Sequence, residues 1–187
     1  MRSCSLAGLA VGMGMVFVAG SLPAAPPAAE HLEKLPPLVL RSLDGKYVYL
    51  SKLCYPGKEK PWQPRSPVSL YFTSSQCVPC RKSLPVYDET VKEYTARGLR
   101  AFAVYVDSVS DRANVDKSVA FFQLKCEVLL DGYQKACGKL GVESVPRIVV
   151  VGEEGNIVAF FKPEGDYAPQ FKEALAKVVP PVEKAGQ

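Results

Sequence analysis

Cys77-Val78-Pro79-Cys80 is the segment of this chain best suited to chemistry. Two intervening residues bring the second sulfur within disulfide reach of the first when the pair opens a helix. A thiolate is the nucleophile of thiol–disulfide exchange, and a neighbouring thiol can resolve the mixed disulfide that it forms. The surroundings favour that chemistry. Val68 to Thr73 is a short apolar, β-branched and aromatic run that reads as a buried strand. A helix follows from Cys77 to about Arg97, with Gly98 suited to its C-terminal cap. At a helix N-terminus the unpaired amides and the positive end of the dipole favour an anion. The Cys77 thiol is therefore expected to fall from about 8.5 into the range of roughly 3.5–7.5. Pro79 fits an early helical position, where its missing N–H costs nothing. Arg81 and Lys82 add positive charge close by.

Other uses of the dithiol fit less well. A zinc site needs a second ligand pair, and Cys126 and Cys137 lie eleven residues apart. The single histidine, His31, falls outside the periodic part of the chain, so no metal is expected. The same scarcity argues against Ser-His or Cys-His catalytic pairs. Nucleic-acid binders cluster their basic residues. Here 23 Lys and Arg stand against 19 Asp and Glu with the charges scattered, and no nucleic-acid partner is expected. A second feature is Val145-Pro146, directly before the apolar run Arg147 to Val151. Proline suits the first residue of a strand, and by itself this one reads as an ordinary trans proline. With a CxxC pair upstream, a cis proline is the better reading.

The chain that must position these residues has 187 residues, 48% of them hydrophobic, enough for one domain and an appendage. Met1-Arg2, the apolar stretch Leu6 to Ala19 and a small-residue, proline-rich stretch have the layout of a secretory signal peptide over 1–29. The apolar run falls short of the roughly 20 residues of a spanning helix, so an uncleaved anchor is the second choice. Residues 30–37 read as a linker, 38–179 as the folded domain and 180–187 as a tail. Export permits disulfides. Without Cys4, five cysteines remain, so at least one stays unpaired within the chain. Cys126 and Cys137 are the candidate structural disulfide, which leaves Cys54 over.

Leu38–Leu40 and Lys46–Leu50 flank an Asp44-Gly45 hairpin turn. After the proline-rich loop 55–67, in which Trp62 reads as a packing anchor, come the strand and helix around Cys77. A strand at 101–106, a helix near 114–124, a strand at 127–130 and a helix at 133–140 follow. Strands 147–151 and 157–161 form a second hairpin, and a helix runs over 166–179. Tyr105, Phe121, Phe122, Phe160 and Phe161 are expected in the core or partly exposed on the sheet. The order of elements gives a mixed α/β sheet flanked by helices.

Tyr71 to Pro85, with Cys77-Val78-Pro79-Cys80-Arg81-Lys82 at its centre, resembles the active-site segment of TlpA/ResA-type thioredoxin-like proteins. Gly141 to Arg147 resembles their cis-proline loop and Glu154 to Val158 the turn that follows. The N-terminal hairpin and the inserted helix near 114–124 match that branch better than a minimal thioredoxin. The resemblance covers about residues 36–179. It implies a thioredoxin-like fold and a periplasmic or membrane-anchored thiol–disulfide oxidoreductase without a cofactor. Cys77 would attack and Cys80 resolve, while Pro146, with Val145, Arg147 and Gln76, would shape the groove for a partner. The implied partners are a cysteine-containing exported client, such as apocytochrome c or a copper-site assembly factor, and a membrane thiol–disulfide electron carrier. The protein would act as a monomer. Three residues depart from the pattern: Gln76 replaces a tryptophan, Ser83 a glutamate, and Arg147 a small polar residue. A cation at 147 would lower the Cys77 pKa and make the pair more oxidising. Two other readings stay open, a peroxiredoxin-like peroxidase using Ser74 and Arg147 around Cys77, and a non-catalytic dithiol metal carrier.

Overall fold

A computed structural model describes residues 32–54 and 64–179. The signal-peptide, His31, Trp62 and C-terminal-tail readings lie outside them. Among the described residues seven strands form one sheet: β1 (Val39–Ser42), β2 (Tyr47–Tyr49), β3 (Val68–Thr73), β4 (Arg100–Tyr105), β5 (Glu127–Leu130), β6 (Arg147–Val151) and β7 (Ile157–Phe161), in the order β2-β1-β5-β4-β3-β6-β7. β3, β4 and β5 are parallel, and the remaining neighbours are antiparallel. Among the described residues the α-helices are α1 (Val78–Thr95), α2 (Arg112–Phe122), α3 (Lys135–Leu140) and α4 (Ala168–Val178). The mixed sheet, the N-terminal hairpin and the inserted helix α2 all match the sequence expectation.

Alternation along the strands divides the core in two. Tyr71, Ala101, Ala103, Ile148 and Val150 face α1, α2 and α4. Leu70, Phe72, Phe102, Val104 and Val149 face α3 and the N-terminal segment around Leu38 and Leu50. β3 is buried along all six residues, which suits an apolar strand covered on both faces. Aromatic packing joins it to the helices. Tyr71 and Tyr87 lie 4.9 Å apart, and Tyr87 stacks on Phe171 of α4 at 5.3 Å. Register then fixes the functional edge. β6 runs antiparallel to β3 with Arg147 opposite Phe72, so the chain just before β6 lies beside the chain just after β3.

Four expectations need correction. Part of the stretch read as a linker is docked: Leu35 is buried and its N–H donates to the Gly155 carbonyl at 2.7 Å, while Lys34 bridges Asn156. Phe121 is 79% exposed on α2. α3 begins two residues late, because Asp131 takes the N–H groups of Ala136 at 3.0 Å and Cys137 at 2.9 Å and so caps the helix from a distance. Finally, Cys126 and Cys137 are both free. Cys126 packs on the α1 face and Cys137 on the α3 face, so the sheet separates the two sulfurs. Among the described residues no helix is long and apolar enough to cross a membrane.

Asp88 of α1 is a buried carboxylate that accepts the N–H groups of Lys125 at 3.0 Å and Cys126 at 2.9 Å. Asp88→Ala leaves both amides without a partner. The expected loss is about 2–3 kcal/mol, read as a lower urea midpoint with an unchanged m value.

Candidate active site

The site begins where β3 stops. Ser74, Ser75 and Gln76 lead to Cys77, and Asp107, just beyond β4, holds that loop. Its carboxylate accepts the Ser75 N–H at 3.0 and 3.1 Å, the Ser74 hydroxyl at 3.3 Å and the Ser75 hydroxyl in a close contact. Cys77 is the N-cap of α1, and its Sγ accepts the Cys80 N–H at 3.2 Å. A sulfur therefore occupies the place where serine or aspartate oxygens usually cap a helix. The two cysteines are joined, with 5.2 Å between their Cα atoms. Cys80 is only 1% exposed, whereas Cys77 is half-buried and is the more accessible of the two sulfurs.

Two depressions flank the first turn of α1. Pro146 lines one of them with Pro79, Lys82, Ser83 and Glu164. The Val145–Pro146 peptide bond is cis, and the Val145 carbonyl oxygen lies 3.8 Å from the Cys77 sulfur. That carbonyl can accept a hydrogen bond from Cys77 only when the pair is reduced, since the disulfide has no proton to donate. Gln76 lies on the other side of the turn, in a depression bounded by α2. Arg147 joins neither depression. Its guanidinium sits over the Phe160 ring at 5.1 Å, on the face away from α1. The structure thus gathers Cys77, Cys80, Val145 and Pro146, sets Gln76 at the rim and turns Arg147 away.

Beneath Cys80 lies a hydroxyl cluster that the sequence reading missed. Tyr71 and Ser83 share a hydrogen bond of 2.6 Å, and Tyr71 donates to the Cys80 carbonyl at 3.4 Å. The Ser83 hydroxyl also lies 3.1 Å from the Pro79 carbonyl, and Tyr167 donates to the Ser83 carbonyl at 2.6 Å. Burial pushes both phenols well above their ordinary range. The cluster holds the second turn of α1 without placing a charge beneath Cys80. Tyr71 was in view as a strand residue, but nothing local shows which way its hydroxyl faces. Asp107 gave no signal either, since its partners lie more than thirty residues earlier.

These features define a thioredoxin-fold protein with a dithiol at the head of a helix and a cis proline beside it. Residues 33–160 match the AhpC/TSA family, and the chain belongs to that family. Among curated proteins it is similar to the thiol-disulfide oxidoreductase ResA of Bacillus thuringiensis (strain Al Hakam), 29% identical over 126 residues, which is 67% of this chain and 66% of that protein. The match thus spans just under two thirds of the relative's length. Among solved structures, the thioredoxin domain of a thiol-disulfide oxidoreductase from Bacteroides vulgatus superposes with a TM-score of 0.63 at 18% identity, covering 81% of this chain and 99% of that one. A secreted Mycobacterium tuberculosis disulfide oxidoreductase gives 0.60 at 14% identity, covering 75% and 95%.

Among the described residues the other cysteines, Cys54, Cys126 and Cys137, are held as neutral thiols. Burial pushes the Cys54 thiol up to about 11. Burial, reinforced by Asp131, pushes Cys137 up to about 12, and burial with Asp88 raises Cys126 as well. After reduction at neutral pH, iodoacetamide is expected to label Cys77 and leave Cys54, Cys126 and Cys137 intact, as read by peptide mass spectrometry. In the unfolded chain these thiols ionise near 9, so between pH 9 and about 12 the folded state holds protons that the unfolded state has released. Stability is therefore expected to fall as pH rises through that window.

Proposed function

We propose that this chain is an exported thiol–disulfide oxidoreductase that reduces disulfides in cysteine-containing proteins. The observation that carries the proposal is the capping geometry of Cys77: a half-exposed sulfur held by the Cys80 amide at a helix N-terminus, with the Val145 carbonyl beside it. In the reduced protein the Cys77 thiolate attacks one sulfur of a client disulfide. A Cys77–client bond forms, and the other client sulfur leaves as a thiolate and takes up a proton. Cys80, after losing its proton, attacks the Cys77 sulfur. The Cys77–Cys80 disulfide closes and the second client thiolate departs, so two electrons have passed to the client. A dithiol electron carrier at the membrane returns the pair to its reduced state. Export rests on the signal-like arrangement of Met1 to Ala29. Pro146 and Val145 form the surface against which a client segment lies, and the protein works as a monomer.

The placement of Arg147 supports the reducing direction. A cation at Cys77 would stabilise its thiolate and make the pair oxidising. Arg147 is the residue suspected of this, and its guanidinium is stacked on Phe160 instead. The peroxidase reading loses support for the same reason. Arg147 lies off the site, and the Ser74 hydroxyl is held by Asp107.

The reduction potential of the Cys77–Cys80 pair is expected closer to about −270 mV than to about −120 mV, measured against glutathione redox buffers. Cys77→Ser should abolish disulfide exchange. Cys80→Ser should accumulate mixed disulfides, visible as a mass increase that dithiothreitol removes. Exchange that persists in Cys77→Ser would refute the assignment.

A further inference from the structure

On the α2 side the site is bordered by a second depression. Its outer wall is one stripe of α2, where Asn114, Lys117, Ser118 and Phe121 stand at i, i+3, i+4 and i+7. Opposite them are Gln76, the residue before the reactive sulfur, and Arg81 of α1. The groove encloses about 460 Å³. Its walls are fixed in place. The Ser118 hydroxyl bonds the Tyr105 phenol at 3.0 Å, and Arg81 Nη2 donates to the Ser75 carbonyl at 3.3 Å.

Two properties give the groove a chemical preference. Arg81 and Lys117 both line it and no carboxylate does. The acid next to Lys117 on α2, Asp116, is paired with Arg112 at 2.8 Å. Asp107, behind Ser75, directs its oxygens at Ser74 and Ser75. The groove also has an apolar end. Phe121 is 79% exposed and rests edge-on against Phe122 at 5.0 Å, while Val115, Val119 and Phe122 of the same helix pack toward the core.

We infer that this groove receives the client segment next to its reactive cysteine, and that this segment is acidic and carries an aromatic or large aliphatic side chain. A carboxylate lies between Arg81 and Lys117, and the apolar side chain covers Phe121. Gln76 is both a wall of the groove and the residue before Cys77, so a chain seated there lies next to the loop that carries the reactive sulfur. The inference rests on exchange at Cys77 as proposed above and leaves that chemistry unchanged. It assigns α2 the selection of clients, acting through encounter and residence. Rim charges act mainly on association rate, and their effect falls with salt.

The test uses the reduced full chain and two synthetic peptides, each with one cysteine held as a mixed disulfide with 2-mercaptoethanol. One peptide has Asp, Glu and Phe around the cysteine, and the other has Lys, Lys and Ser. Reduction rates are followed by acid quench and mass spectrometry, each divided by the rate with dithiothreitol to remove intrinsic reactivity. The acidic aromatic peptide is expected to react about tenfold faster at low ionic strength, with the preference shrinking at about 0.5 M salt. Lys117→Glu, which leaves Arg81 facing one carboxylate, should abolish the charge preference. Phe121→Ser should slow the acidic aromatic peptide and leave the rate of the basic peptide unchanged. Equal normalised rates, or a preference that Lys117→Glu leaves unchanged, would overturn the inference. Failure of the exchange reading looks different: the wild-type dithiol would then reduce neither peptide nor hydroxyethyl disulfide.

Discussion

The amide-lined N-terminus of α1 meets the sulfur of Cys77, and most of the architecture holds that contact in place. A helix leaves its first amides without partners and concentrates positive potential there. Here a Cys80 amide 3.2 Å from Sγ uses part of that potential. The sulfur keeps this position only if the strand that delivers it cannot shift. β3 lies between β4 and β6, is buried throughout, and is tied to α1 and α4 through Tyr71, Tyr87 and Phe171. The sulfur of Cys77 thus stands just past a strand that is buried throughout, on the end where parallel strands characteristically carry their sites.

Three aspartates do for the turns what the sheet does for the strands. Backbone amides buried in a turn must find acceptors, and a ladder cannot provide them. Asp107 accepts them before Cys77, Asp88 between α2 and β5, and Asp131 at the head of α3. Each carboxylate gains charge-assisted hydrogen bonds that offset its own burial. The arrangement also keeps negative charge away from the exposed sulfur, because the oxygens of Asp107 face the loop it restrains.

Much of this was legible from residue order. β3, β5, β6 and β7 fall on the runs that composition alone marks, and Gly98 takes the positive φ angle expected just past α1. The dithiol and the proline loop were legible for the same reason, since each is a short pattern next to an element of clear period. The failures share a different cause. Cys126 and Cys137 are close in sequence yet lie on opposite faces of the sheet. Phe121 looks like a core residue until α2 is docked with its other stripe inward. Arg147 follows the cis proline, and strand alternation sends its side chain to the far face.

By itself the sequence determined the two cysteines, their place at a strand-to-helix junction, the proline that opens β6 and the class of fold. Spacing, periodicity and capping act within a few residues and need no knowledge of the rest of the chain. Only the tertiary structure decided that Asp107 restrains the loop before Cys77, that Tyr71, Ser83 and Tyr167 form the floor beneath Cys80, and that α2 walls a cationic groove beside Gln76. Those relations depend on the register between strands distant in sequence and on the rotation of each helix about its axis. Both are set by the collective fit of the core on the two faces of the sheet.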